Sequence, residues 1–82
     1  MKLPRNIGGP ELARLLTKYD YQITRQTGSH LRLTTLRNGE HHVTIPSHNP
    51  IKIGTVSSIL SDVSSHLKIS KSTLIEELFE KW

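Results

Sequence analysis

The spacing of apolar residues changes period twice along the chain, and each change marks a change of structure. Leu12, Leu15, Leu16 and Tyr19 recur three or four residues apart, the spacing of one face of a helix. Pro10 suits a first helical position and Glu11 the positive end of the helix dipole, so a helix is expected from Pro10 to about Asp20. From Tyr21 the period drops to two. Tyr21 and Ile23 alternate with Gln22, Thr24 and Gln26; Leu31 and Leu33 with His30, Arg32 and Thr34; Val43 and Ile45 with His42 and Thr44. These runs read as three strands. Helical spacing returns in Val56, Ile59, Leu60, Val63 and Leu67 behind Thr55 as the expected N-cap. It returns again in Leu74, Ile75, Leu78, Phe79 and Trp82 behind a capping Ser70.

Strand register follows from the same pattern, because a slip of one residue sends every apolar side chain of a strand to the wrong face. A two-residue turn at Asn38-Gly39 would set Leu33 opposite Thr44. A three-residue loop, Arg37-Asn38-Gly39, sets Leu33 opposite Val43 and Leu31 opposite Ile45, with Gly39 free to take the left-handed position. The same loop length at Thr27-Gly28-Ser29 sets Ile23 opposite Leu33 and Gln26 opposite His30. The expected fold is therefore α+β: a three-stranded antiparallel sheet with helices packed on one face, in the order α-β-β-β-α plus a C-terminal helix. Tyr21, Ile23, Leu31, Leu33, Val43 and Ile45 face the helices, and Gln26, His30, Arg32, His42 and Thr44 share the outer face. The 82 residues read as a single domain, 1–82, with its core in 10–67 and a helical extension over 70–82. The apolar residues of that extension are expected to dock on the body.

Composition narrows the chemistry. A chain of this length buries roughly 60–65% of its unfolded surface, enough for one modest core, so any active site is expected in a surface groove. Lys and Arg total 11 against 7 Asp and Glu. The excess is uneven: residues 1–71 hold ten basic and four acidic groups, whereas 72–82 hold one and three. A basic body favours a polyanion or an acidic protein as partner. The absence of cysteine removes disulfides, thiol nucleophiles and cysteine-based zinc sites, and fits a reducing cytoplasm. Met1-Lys2-Leu3-Pro4 lacks the apolar stretch of a signal peptide, and no run is apolar enough to span a membrane.

The candidate chemistry rests on five histidines. Gly28-Ser29-His30 places an imidazole at the mouth of a hairpin, and imidazole is the side chain whose ordinary pKa lies nearest neutrality. His48 follows Pro46 and Ser47, near where the second strand begins, and is a candidate neighbour of His30. His41 and His42 are adjacent in a strand and point to opposite faces. His66 reads as helix surface. No carboxylate is spaced to join His30, His42 and His48 in a metal site, so neither a metal nor another cofactor is expected. Ser29 is expected to shape the turn rather than to pair with His30.

Gly28-Ser29-His30, Ile45-Pro46-Ser47-His48 and Gly54-Thr55-Val56 preceding Ile59-Leu60, set in this order of elements, resemble the HicA family of bacterial toxins over about Glu11 to Leu67. Two features depart from the family's pattern: Asp20-Tyr21 stands where members often have a Gly-aromatic pair, and the segment after Lys68 is longer than in the shortest members. The resemblance implies a fold related to double-stranded-RNA-binding domains, a toxin of a toxin–antitoxin system, cleavage of mRNA, and inhibition by a HicB-like antitoxin. It carries the family's catalytic histidine onto His30. His30 would then serve as general base or acid when the RNA 2′-hydroxyl attacks the adjacent phosphorus, giving cyclic-phosphate ends without a metal.

Around His30, His48 is the first candidate for a second proton-transfer group, ahead of His42. Arg32 and Arg25 are the candidates for stabilising phosphorane charge, Arg32 ahead because Arg25 is expected on the helix side, where it can snorkel past the sheet edge; Gln26, Arg32, His42 and Lys52 are the candidate RNA contacts. Two other function classes compete: a non-catalytic RNA-binding module using the same face, and a protein-interaction domain whose last helix is the docking surface. Both RNA readings expect affinity that falls steeply with salt.

Overall fold

The computed structural model describes residues 3–80. The chain runs α1 (Gly9–Leu16), a 3-10 turn (Thr17–Tyr19), β1 (Gln22–Thr27), β2 (His30–Thr35), β3 (His41–Pro46), α2 (Ile53–Leu67) and α3 (Lys71–Phe79). The strands form one antiparallel sheet in the order β1-β2-β3, giving the expected α+β arrangement with β2 central.

Alternation decides the layers. Leu31, Leu33, Val43 and Ile45 are buried in one cluster with Leu12, Ala13 and Leu16 of α1 and Val56, Ile59, Leu60 and Val63 of α2. Each such aliphatic side chain, fully buried, contributes about 1.5–3 kcal/mol. The intervening His30, Arg32 and Thr44 are exposed. The hairpin between β2 and β3 has the expected register, Leu33 opposite Val43 and Leu31 opposite Ile45. Gly39 takes the left-handed conformation (φ 97°) beside a left-handed Asn38 (φ 61°). Leu74, Ile75 and Leu78 of α3 join the same cluster. The Ser70 hydroxyl caps that helix by accepting from the Thr73 N–H (3.0 Å). The Tyr19 hydroxyl donates to the Glu77 carboxylate, and Lys18 Nζ donates to the Glu77 carbonyl (3.0 Å). The last helix thus docks on the body; Trp82, counted in its expected stripe, lies outside the described residues.

Three expectations fail, each for a local reason. Helix α2 starts at Ile53 with Lys52 as N-cap, not at Thr55. The Ile51 N–H donates to the Ile7 carbonyl (2.8 Å) and Ile51 is buried, so the chain is fixed there and turns helical at once. The Thr55 and Val56 N–H groups already donate to the Lys52 carbonyl (3.0 and 3.1 Å). Second, Ile23 lies opposite buried Leu33 yet is 50% exposed, because the helices do not cover this stretch of the edge strand β1. Third, β1 contains a bulge. Ile23 pairs with Leu33 as expected, but Arg25 pairs with Arg32, Gln26 with Leu31 and Thr27 with His30. Thr24 is the extra residue, its hydroxyl meeting that of Thr34 (2.8 Å). The turn is the two-residue Gly28-Ser29, and the expected pairing of Gln26 with His30 is wrong by one residue.

A polar network closes the seam between β3 and α2. The Tyr21 hydroxyl lies 2.7 Å from His41 Nδ1, and His41 Nε2 lies 3.2 Å from Asp62 Oδ1. An aspartate carboxylate only accepts, so His41 carries its proton on Nε2, and neutral His41 accepts from Tyr21 at Nδ1. The His66 ring stacks on His41 (4.2 Å between centroids), and its Nε2–H donates to the carbonyls of Arg37 (2.8 Å) and Gly39 (3.1 Å). His66 is therefore a strut holding the β2–β3 loop to α2, not the plain surface residue expected. Burial, and then the Asp62 charge, push the Tyr21 phenol up to about 12. Between pH 10 and 12 the unfolded chain has lost a proton that the folded chain keeps, so stability contributed by neutral Tyr21 is full below pH 10 and lost as pH approaches 12. Denaturant midpoints measured from pH 9 to 12 are expected to fall across this window, and Tyr21→Phe to fall less. Parallel declines would place the phenol outside the network.

Candidate functional site

The outer face of the sheet is built by β2 and its partners. His30 opens β2, opposite Thr27 on one side and Pro46 on the other; Arg32 lies opposite Arg25 and Thr44; Thr34 lies opposite Gln22 and His42. Residues directly opposite in an antiparallel pair share a face, so Arg25, Thr27, His30, Arg32, Thr44 and His42 lie on one side. Five of them, Arg25, Thr27, His30, Arg32 and Thr44, line one shallow depression of about 190 Å³. That is below the roughly 300–1,000 Å³ of pockets that enclose a small ligand; it suits one group of a polymer laid across the surface.

His30 is exposed, and its Nδ1 lies 3.2 Å from the Ser29 hydroxyl. Ser29 lies in the turn as expected, but its hydroxyl also meets the His30 ring, because strand alternation does not apply in a turn. In the tautomer in which Ser29 accepts from Nδ1–H, Nε2 is the free acceptor, the state a general base needs; in the other, Ser29 donates to Nδ1 and Nε2 carries the proton. The Ser47 N–H donates to the Ser29 carbonyl (2.8 Å), tying the turn to the end of β3. The Gly9 N–H donates to the His48 carbonyl (2.8 Å), so the start of α1 braces the same corner.

Of the other residues singled out in the sequence, Arg32 lies beside His30 as expected. Gln26 does not: it lies opposite Leu31 on the helix side, and the expectation that it shares the outer face is wrong. Arg25 reverses in the opposite sense, from the expected helix side to the outer face. Both corrections have one cause, the extra residue at Thr24. His48 is exposed two residues past Pro46 and is not among the residues lining the depression. Lys52 lines a separate groove with Arg5, Pro50, Ile51 and Ile53. His42 shares the face but sits opposite Thr34, four residues along β2 from His30. At about 3.3 Å per residue that is roughly 13 Å, too far for both rings to act on one small group. Its ring is fixed at both nitrogens, Nδ1 to the Thr34 hydroxyl (2.7 Å) and Nε2 to Glu40 Oε2 (2.8 Å).

Among the described residues no group of three or more His, Cys, Asp or Glu is arranged to hold a metal ion, and no helix is long and apolar enough to cross a membrane. The arrangement offers proton transfer at His30 and two guanidinium groups beside it. The sequence offers Arg25 as a candidate but on the wrong face, and it gives no sign of the Ser29 contact. The signal for both was the Gly28-Ser29 dipeptide, which reads equally well as a two-residue hairpin turn.

Compared with known proteins, residues 9–64 match the family model described as HicA toxin of bacterial toxin-antitoxin. The matched region takes in the whole sheet and all but the last turn of α2. No curated protein and no solved structure matches the chain.

Proposed function

Because this chain belongs to the HicA toxin family of bacterial toxin–antitoxin systems, we propose that it is an endoribonuclease toxin that cleaves mRNA on the outer face of its sheet. The observation that carries the reading is an exposed imidazole, His30, in one depression with Arg25 and Arg32: a proton-transfer group beside two cations, the minimum for cutting an RNA phosphodiester. His30 Nε2 takes the proton of the ribose 2′-hydroxyl as its oxygen attacks phosphorus. The bond from phosphorus to the 5′-oxygen breaks, and that oxygen takes a proton from water. The products are a 2′,3′-cyclic phosphate and a 5′-hydroxyl, and no electron changes hands. General acid–base transfer of this kind contributes typically 10²–10⁴-fold.

His42 acts apart from the chemistry, binding the strand about two nucleotides away. His42→Ala is expected to raise KM several-fold and leave kcat within about twofold, measured on a fluorogenic oligonucleotide; a large fall in kcat would instead make it part of the reacting centre. The α-β-β-β-α order, shared with double-stranded-RNA-binding folds, supports an RNA substrate. The toxin's partner is a HicB-like antitoxin whose binding covers His30, and the workplace of an mRNA-cleaving protein is the cytoplasm.

The test uses a synthetic RNA and the same oligonucleotide with a single 2′-deoxy nucleotide at the mapped cut. In EDTA, the first is expected to be cut to cyclic-phosphate and 5′-hydroxyl ends and the second to stay intact at that position. Cutting of the deoxy substrate, 5′-phosphate ends, or dependence on a metal overturns the mechanism. Binding of RNA without cleavage reassigns the face to a binding module.

A further inference from the structure

Residues two apart in an unbroken strand share a face, yet Ile23 lies opposite Leu33 on the apolar side and Arg25 opposite Arg32 on the outer side. The bulge at Thr24 separates them. Bulges of this kind re-aim a side chain and are over-represented beside active sites. This one is held on the outer face, the Thr24 hydroxyl meeting that of Thr34 (2.8 Å) and donating to the Arg32 carbonyl (3.4 Å).

The result is two arginines directly across from one another, an arrangement that destabilises a sheet. No acid offsets it: the ion pairs among the described residues are Arg14 with Glu11, Arg37 with Asp20, His41 with Asp62 and His42 with Glu40. Arg25 and Arg32 instead line the depression with His30, flanked by the hydroxyl-bearing Thr27 and Thr44. Register irregularity and like-charge repulsion are both tolerated at the one place where the chain also exposes its hairpin histidine.

We propose that Arg25 and Arg32 form a two-arginine clamp for the scissile phosphodiester of RNA, each guanidinium donating to one non-bridging oxygen while His30 reaches the 2′-hydroxyl. The inference rests on the nuclease reading for the identity of the phosphate, and on the pairing geometry for the clamp itself. A guanidinium fork matches phosphate oxygens in a way an ammonium does not. Charge on those oxygens grows as the phosphorane forms, so the clamp binds the transition state more tightly than the ground state, and its loss falls on kcat more than on KM.

The experiment measures kcat, KM and melting temperature for wild type, Arg25→Ala, Arg25→Lys, Arg32→Ala and the distant surface control Arg14→Ala. Arg25→Ala is expected to lower kcat by about 10²-fold, with a smaller change in KM and incomplete rescue in Arg25→Lys, while Arg14→Ala matches wild type. Because removing one of the two facing cations relieves repulsion, the melting temperature of Arg25→Ala is expected to hold or rise. Wild-type kcat in Arg25→Ala, or a fall in activity that tracks a fall in melting temperature, overturns the clamp.

A second readout, binding of an oligonucleotide with 2′-deoxy at the cut, separates the clamp from the nuclease reading. Each arginine removed is expected to reduce the slope of log affinity against log salt by about 0.7. If wild type fails to cleave RNA but the slopes fall in this way, the nuclease reading is lost and the clamp stands as a phosphate site. Unchanged slopes overturn the clamp whether or not RNA is cut.

Discussion

Replacing His30 with alanine is expected to lower RNA cleavage by about 10²–10⁴-fold while leaving the melting temperature within a degree or two of wild type. The side chain is exposed and its hydrogen bond is to the neighbouring Ser29 hydroxyl, so nothing in the core depends on it, and surface substitutions of this kind seldom shift stability. RNA affinity is expected to persist, because Arg25 and Arg32 remain in the depression. Loss of activity with loss of fold would show only that the hairpin is fragile. Retained activity would move the chemistry to another group, with His48, the other histidine expected to share proton transfer, the first to replace.

The largest stability effect is expected at Gly9. A Cβ there would sit 1.9 Å from the Pro46 carbonyl oxygen and 2.9 Å from Ser47 Cα. Those atoms are backbone at the end of β3 and cannot swing aside. Gly9→Ala must therefore push α1 off the sheet, breaking the hydrogen bond from Gly9 N–H to the His48 carbonyl and opening the core where Leu12 packs. An overpacking cost near the upper end of the usual range, about 3 kcal/mol, corresponds to a melting temperature lowered by about 10 °C or more in a domain of this size. Activity is expected to fall as well, because Pro46 is the residue opposite His30. Gly54→Ala is the matched control: nothing lies within 4 Å of its Cβ position, and at the second position of α2 the replacement is neutral to stabilising by less than the roughly 0.5–1 kcal/mol of a mid-helix glycine. Equal melting temperatures for the two variants would contradict the seating of α1 on β3.

What was legible in the sequence and what was not divides along the strength of the apolar pattern. β2 and β3 alternate cleanly and must bury Leu31, Leu33, Val43 and Ile45 together, so their register followed from one argument about faces. In β1 the apolar residues stop at Ile23, and Thr24-Arg25-Gln26-Thr27 is polar throughout. A register set by burial has nothing to act on there. Loop length decided the pairing instead, and the wrong loop length exchanged the faces of Arg25 and Gln26. The start of α2 departs from the sequence expectation for a comparable reason: Thr55 is a good capping residue by type, but the buried Ile51 and its hydrogen bond to Ile7 are tertiary facts that outweigh a local preference.

The position of His30 on the outer face was readable, since it depends only on its parity with Leu31. Its contact with Ser29 and the bracing of its turn by Ser47 were not, because both depend on how a turn and a strand end meet in space. The same holds for His66, whose role as a strut arises only when α2 packs beside the loop at Arg37 and Gly39.

The outer face of the sheet as the working surface is tested most directly by NMR, following the backbone amides of the wild-type protein as a 2′-deoxy-blocked RNA oligonucleotide is added. The account predicts that shifts concentrate at Arg25, Thr27, His30, Arg32 and Thr44, extend along β2 toward Thr34 and His42, and disappear as salt is raised. Shifts confined to the groove between α1 and α3, lined by Glu11, Arg14, Lys18 and Glu77 among others, with the sheet unmoved, would contradict it.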